Sequence, residues 1–304
     1  GRLRGTTRLR LTESCMQDSD PDTFQGQRQV FDAQLTWPYE NALGYIESTV
    51  GAKLRRYRAT RETGVGPTFN NPFLHVIAGT RLTHQSTGKS TNRILEPKMS
   101  ITLGHKDRDQ PQFGIDTAWL EPNYPSLFNP YASVGADWGV AGHTLALGID
   151  HRWVKRSSGH QLARISVGQS YQATADQPVR GDRRGHQTEF QAELTQGGAI
   201  TGRIDLSYQH QFKTVTSGFL SLSYRASGST LISLQHRYRA ATPLFGQDDI
   251  MPESSVSQIA LQAPIGNGFQ IRGLWGRNNR ASKDIESLLG VSYNGCCWTV
   301  DAAY

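Results

Sequence analysis

The sequence predicts an all-β chain that crosses a membrane as an antiparallel β-barrel, and three observations carry that prediction. Apolar and polar residues alternate with a period of two over segments of about 9 to 12 residues, tight turns alternate with long polar connections, and aromatic residues lie near segment ends.

The alternation is clearest in "GRIDLSYQHQF", where Ile204, Leu206, Tyr208, His210 and Phe212 share one face and Arg203, Asp205, Ser207, Gln209 and Gln211 the other. The first set is expected to face lipid and the second the lumen. Earlier in the chain, Leu145, Leu147 and Ile149 stand against Thr144 and Asp150. Later, Ile232, Leu234, His236 and Tyr238 oppose Ser233, Gln235, Arg237 and Arg239, and Ile259, Leu261 and Ala263 oppose Gln258 and Gln262. Phe269, Ile271, Gly273 and Trp275 oppose Gln270 and Arg272. A soluble β-sandwich with one wet face explains such alternation equally well. It does not explain the length, because ordinary strands run about 5 to 6 residues whereas tilted membrane crossings need about 9 to 11.

Tight breakers are read at "TQGGAI" (195–200), "KTVTSG" (213–218), "RASGST" (225–230) and "PIGNGF" (264–269). Between them lie the longer polar stretches 173–187 and 242–255. Short turns at one end and long loops at the other are the asymmetry of an outer-membrane barrel. Trp37, Tyr45, Trp153, Tyr171, Tyr238 and Trp275 sit where interfacial girdles belong.

Composition narrows the function. The 304 residues are 37% hydrophobic with a mean hydropathy of −0.51, and no apolar run approaches the ~20 residues of a membrane helix. The net charge is +6, but the arginines are spread along the chain instead of clustered, which argues against nucleic acid as a partner. No G-x-S-x-G, H-E-x-x-H or P-loop occurs, and His and Asp show no repeating spacing, so neither an enzyme nor a cofactor is expected. Three cysteines without C-x-x-C spacing do not form a metal set.

Two of those cysteines are adjacent, in "SLLGVSYNGCCWTV" (287–300). Neighbouring Cα atoms are about 3.8 Å apart, short of the ~4.4 Å an unstrained disulfide needs, so a bond between Cys296 and Cys297 is not expected. Read as part of a strand, the two thiols point to opposite faces and need different partners, and Cys15 can supply only one. Two buried free cysteines behaving as small apolar residues is the other reading.

That stretch resembles the C-terminal signature of the LPS-assembly outer-membrane protein family, LptD, in which an L-L-G-x-x-Y strand ends in Cys-Cys and an aromatic residue. Further segments resemble the family in its order: 33–60, "RILEPKMSITL" (93–103), "DQPQFGIDTAWLEPNYPSLFNP" (109–130), "ISVGQSYQ" (165–172) and "LQHRYRAATP" (234–243). The likeness covers about residues 28–304, and residues 1–27 read as a strand and a loop. After "LFNP" this chain has "YASVGADWGVAG", which keeps Asp137 without the family's arginine, so no role of that loop is carried over.

The resemblance implies a segment of a large barrel in the outer membrane of a Gram-negative bacterium; chain length, at ~20 residues per strand, gives about 15 strands. It implies that the barrel's first and last strands and an N-terminal jellyroll lie outside this sequence. Cys296 and Cys297 are then each bridged to a cysteine near that jellyroll, and Cys15 is a loop thiol without a family role. The implied function is transport of lipopolysaccharide and its insertion into the outer leaflet. The implied partners are lipopolysaccharide, an LptE-like plug lipoprotein in the lumen, a periplasmic bridge protein acting through the jellyroll, and outer-membrane lipid. Arg203, Asp205, Arg237, Arg239 and Arg272 are the candidate residues of a polar lumenal face. A passive porin or ligand-gated channel is the alternative function, and it has no use for the cysteine pair.

Overall fold

A computed structural model describes residues 5–16, 26–59, 68–85, 90–104, 118–119, 123–131, 133–134, 142–172, 186–211, 213–226, 230–243 and 250–304. Its strands are β1 (Thr6–Met16), β2 (Gly26–Glu40), β3 (Tyr45–Ala59), β4 (Thr68–Gly79), β5 (Leu82–Gln85), β6 (Thr91–Gly104), β7 (Ala118–Trp119), β8 (Ser133–Val134), β9 (Thr144–Lys155) and β10 (Gln161–Gln172). They continue as β11 (Gln187–Gln196), β12 (Ile200–Gln209), β13 (Thr214–Arg225), β14 (Leu231–Arg239), β15 (Thr242–Pro243), β16 (Ile250–Met251), β17 (Ser254–Gly266), β18 (Phe269–Asn278), β19 (Lys283–Asn294) and β20 (Thr299–Ala303). One 3₁₀ turn, Pro125–Phe128, lies between β7 and β8.

The long strands form a single sheet in the order β1-β2-β3-β4-β6-β9-β10-β11-β12-β13-β14-β17-β18-β19-β20, each antiparallel to its neighbours, with β5 also on β6. β4 and β5 meet β6 in one register, Gly79 opposite Lys98 and Leu82 opposite Leu95. The interruption between them falls beside Pro97, which has no N–H to donate to the ladder. Counted as one strand they give the fifteen crossings that chain length predicts.

Turn asymmetry is present. The turns 41–44, 156–160, 197–199, 267–268 and 295–298 close one end; at the other, 8, 39, 14 and 14 residues separate β3 from β4, β6 from β9, β10 from β11 and β14 from β17, while β12 and β13, and β18 and β19, are separated there by only four residues each. Asn267 and Gly268 both take positive φ, 51° and 83°, as a two-residue hairpin turn requires. The turn expected at 213–218 is shifted: β13 already begins at Thr214, because β-branched Thr214, Val215 and Thr216 suit a strand, and Lys213 takes the positive φ of 49°. Phe212 and most of 173–187 lie outside the described residues. Cys15 is not in a loop; it lies on β1 opposite Gln27.

Two further points overturn the strand reading of the cysteine pair. Asn294 pairs with Thr299 and the Gly295 N–H donates to the Trp298 carbonyl at 2.9 Å, so Cys296 and Cys297 are the two central residues of a hairpin turn. Their Sγ atoms do not diverge to opposite faces; they are exposed and 3.3 Å apart, at the short-turn end.

The two faces are inside out. Along β12, Ile204, Leu206 and Tyr208 are 39%, 42% and 36% exposed, whereas Asp205, Ser207 and Gln209 are buried. Among the described residues, nineteen polar or charged residues are buried against six hydrophobic ones. A sandwich buries its apolar face, so this distribution excludes it and fits a barrel wall with lipid outside and polar groups inside.

Candidate functional site

The site is the shielded polar face and the segment lying on it. Its centre is Glu96 on β6, 4% exposed. Tyr45 Oη donates to its Oε1 at 2.9 Å, Arg152 Nη2 donates to Oε2, and Lys98 Nζ and Arg81 Nε stand 3.6 Å away. Register supplies these partners, since Glu96 lies opposite Asp150 on β9 and Arg152 is two residues along on the same face. Asp150 is gripped in turn by Arg164 of β10 through two parallel bonds, Nε at 2.9 Å and Nη2 at 2.8 Å, and accepts from Ser166 Oγ at 3.2 Å. Bidentate pairs of this kind are the strong, geometrically specific ones.

Onto this charged row folds the segment Asn123–Tyr131 from the β6–β9 connection. Asn123 starts it, its Oδ1 accepting the Ser126 N–H at 2.9 Å, and Pro125 brings the φ a 3₁₀ turn needs. Tyr124, Leu127 and Phe128 are buried, and with Ala146 they form the hydrophobic cluster found among the described residues. Two glycines facing each other across β9 and β10, Gly148 and Gly168, make the flat spot beneath them. A Cβ at Gly148 would stand 2.7 Å from Phe128 Cζ, and one at Gly168 2.7 Å from Leu127 Cδ1. Lys98 Nζ lies 5.4 Å from both the Tyr124 and Phe128 ring centres, so the charged row also holds the segment by cation–π contact. Burial, and secondarily Asp150, pushes the Tyr124 phenol well above its ordinary pKa, keeping it uncharged. Downstream, Tyr131 packs edge-on against Phe73 at 5.5 Å and accepts from Gln34 Nε2.

Gly148→Val is expected to overpack this contact by about 1 to 3 kcal/mol and release the segment. Protease susceptibility within 123–131, compared between variant and wild type, checks this.

The five polar-face residues expected from sequence do share one face, as the register from β12 to β18 shows. The structure brings together Arg203 and Asp205, at 2.6 Å. Arg237 lies over the Phe219 ring at 5.6 Å, with Phe219 between it and Asp205 in the same row. Arg239 ends β14 opposite Ser217, and Arg272 stands apart, 3.5 Å from Asp301 of β20. Sequence reasoning put Asp150 on the polar face without giving it a role in the site, and missed Glu96, Arg152 and Arg164 and the inserted Tyr124 and Phe128. The signal for the last two is the aromatic and aliphatic cluster "YPSLF" in the connection between β6 and β9.

Comparison with known proteins decides the family. The profile described as "LPS transport system D" (LptD) matches residues 11–265, most of the chain. The chain belongs to the LptD family. It is 24% identical to the LPS-assembly protein LptD of Thiobacillus denitrificans over 99% of this chain and 41% of that protein. Against LptD of Chromobacterium violaceum the identity is 24%, over 92% of this chain and 36% of the relative, and against LptD of Shewanella denitrificans it is 22%, over 89% and 37%. This sequence thus spans about two fifths of the LptD relatives it matches, at identities that mark a divergent member.

Proposed function

We propose that this chain is a wall of an outer-membrane barrel that carries lipopolysaccharide across a Gram-negative outer membrane and inserts it into the outer leaflet. The observation that carries the reading is the inside-out sheet, apolar outside and polar inside, in a chain of the LptD family. In this reading the polar face lines a lumen shared with a plug lipoprotein. Arg203, Asp205, Arg237, Arg239 and Arg272 serve there as hydrogen-bonding and ion-pairing positions for sugars, phosphates or plug carboxylates. A bridge protein delivers the lipid through a periplasmic jellyroll. The match to the LptD family favours this over a passive porin.

Depleting the full-length parent protein in its host tests the proposal. Loss of newly made lipopolysaccharide from the cell surface is the expected result; normal surface lipopolysaccharide with altered solute uptake overturns it in favour of a porin.

The cysteines give a second test. Cys296 and Cys297 lie at the short-turn end, which is periplasmic in barrels of this kind, and each is expected to bridge to an upstream cysteine in the oxidising periplasm. The 3.3 Å approach of their thiols removes the argument that they cannot meet, but adjacent Cα atoms remain about 3.8 Å apart, too close for an unstrained bond. Non-reducing peptide mapping of the mature parent should recover two long-range bridges. An intact Cys296–Cys297 disulfide, or two free thiols, contradicts the pairing.

A further inference from the structure

We propose that the exposed face of β10, β11 and β12 carries a binding site for one glycolipid of the leaflet at the long-connection end. A polar cluster at the rim holds its sugar headgroup, and a groove below holds an acyl chain. The inference rests on the barrel-wall reading above and assigns that wall a lipid site of its own, on strands in the interior of the sheet, away from β1 and β20.

The cluster is polar where the face is otherwise apolar. Gln169, Tyr171, Thr188, Tyr208 and His210 all lie on the face that carries Val167, Phe190 and Leu206. His210 Nε2 meets Thr188 Oγ1 at 2.8 Å and Gln169 Nε2 at 3.3 Å, and Tyr171 Oη donates to Gln169 Oε1 at 2.7 Å. The Tyr208 ring stands edge-on to His210 at 5.1 Å, and Tyr171 to His186 at 5.6 Å. Polar side chains on a lipid-facing surface are unfavourable at depth, and these occupy the strand ends, at headgroup level. Hydroxyl, amide and imidazole groups beside aromatic rings match sugar hydroxyls, since each can both donate and accept.

Below the cluster the same face opens into an apolar groove of about 660 Å³, floored by Gly202 and walled by Ile165, Leu194, Ile204, Leu222 and Leu234. A Cβ on Gly202 would meet its nearest atoms at 3.9 Å, an ordinary contact distance, so a side chain fits there without a clash. Thr188 and Leu194 lie on one strand and one face, six residues or about 20 Å apart, a span suited to a headgroup and an extended chain. The groove is continuous with the exposed apolar face that the bilayer covers, so its occupant is a lipid.

The test uses the full-length parent in nanodiscs of phosphatidylethanolamine and phosphatidylglycerol, with and without lipopolysaccharide, carrying a photo-crosslinking residue at Thr188 or at Tyr238 on the same face. Saturable lipopolysaccharide adducts at Thr188, at least fivefold above Tyr238, are expected. Gln169→Ala with His210→Ala, and separately Gly202→Ile, which fills the groove, should each lower the Thr188 yield at least fivefold. Heat-modifiable gel mobility confirms that every variant is folded, and a variant that fails it is replaced by His210→Asn alone, expected to lower the yield at least twofold. Equal adducts at the two positions, adducts with phospholipid at the same yield, or no effect of the folded variants overturns the site. Surface delivery of lipopolysaccharide by the wild-type parent, scored in parallel, separates failure of this site from failure of the transport reading.

Discussion

Glu96→Ala is expected to destabilise the full-length barrel by about 3 to 5 kcal/mol, the range for removing one partner of a buried charge pair. Glu96 is 4% exposed and is the common acceptor for Tyr45 and Arg152, with Lys98 close by. Without it, Arg152 keeps only a long 3.9 Å approach to Asp150, which Arg164 already occupies. Lys98 loses its carboxylate while still facing the Tyr124 and Phe128 rings. Arg81 contributes little to the figure, because it is half-exposed and has Glu40 at 2.8 Å as a second partner. Glu96→Gln, which keeps the acceptor and the shape but not the charge, should lose less. Urea unfolding of the refolded parent, followed by tryptophan fluorescence, gives both numbers. An alanine variant within 1 kcal/mol of wild type would show that the cluster is solvated and that its burial does not matter.

How much of this was legible in the sequence depends on whether the determinant is local. The face of every residue from Arg203 to Gln209 follows from a period of two, and the structure agrees residue by residue. Strand number follows from chain length, and the hairpin at Asn267 and Gly268 from an Asn-Gly pair, the favoured dipeptide where both turn residues need positive φ. The inserted segment has no such signature. Tyr124 and Phe128 are buried because Gly148 and Gly168 happen to face each other across β9 and β10, a coincidence of register that no window of sequence contains. Glu96 looks like a lone acid in "LEP", since Tyr45 and Arg152 are 51 and 56 residues away. The cysteine pair misled for the opposite reason. The alternation in "LLGVSYN" ends at Asn294, and the chain reverses at Gly295 before either cysteine.

The alternation also makes Leu206→Arg a sharp test of which face meets lipid. Leu206 is 42% exposed on β12, flanked on its row by Phe190 and Gly218, and the Leu206 Cδ2 atom fills the space beside Gly218. An arginine on the lipid face near the bilayer midplane costs about 2 to 4 kcal/mol, falling toward zero at the interfaces. The neighbouring Ser207, which alternation alone offers as a tolerant control, is unsuitable: it is buried and its Oγ donates to Glu189 Oε2 at 2.6 Å. A carboxylate there would face Glu189 directly. Gln235 on β14 is the better control, exposed on the polar face opposite Ser221 and Gln258. Gln235→Arg should stay within about 0.5 kcal/mol of wild type, as surface changes away from packed features do. The contrast must be read in a bilayer, because the penalty at Leu206 comes from taking a guanidinium into hydrocarbon, and a detergent micelle lets it reach water. If both variants lose stability equally in liposomes, the apolar face does not meet lipid and the inside-out reading of the sheet fails with it.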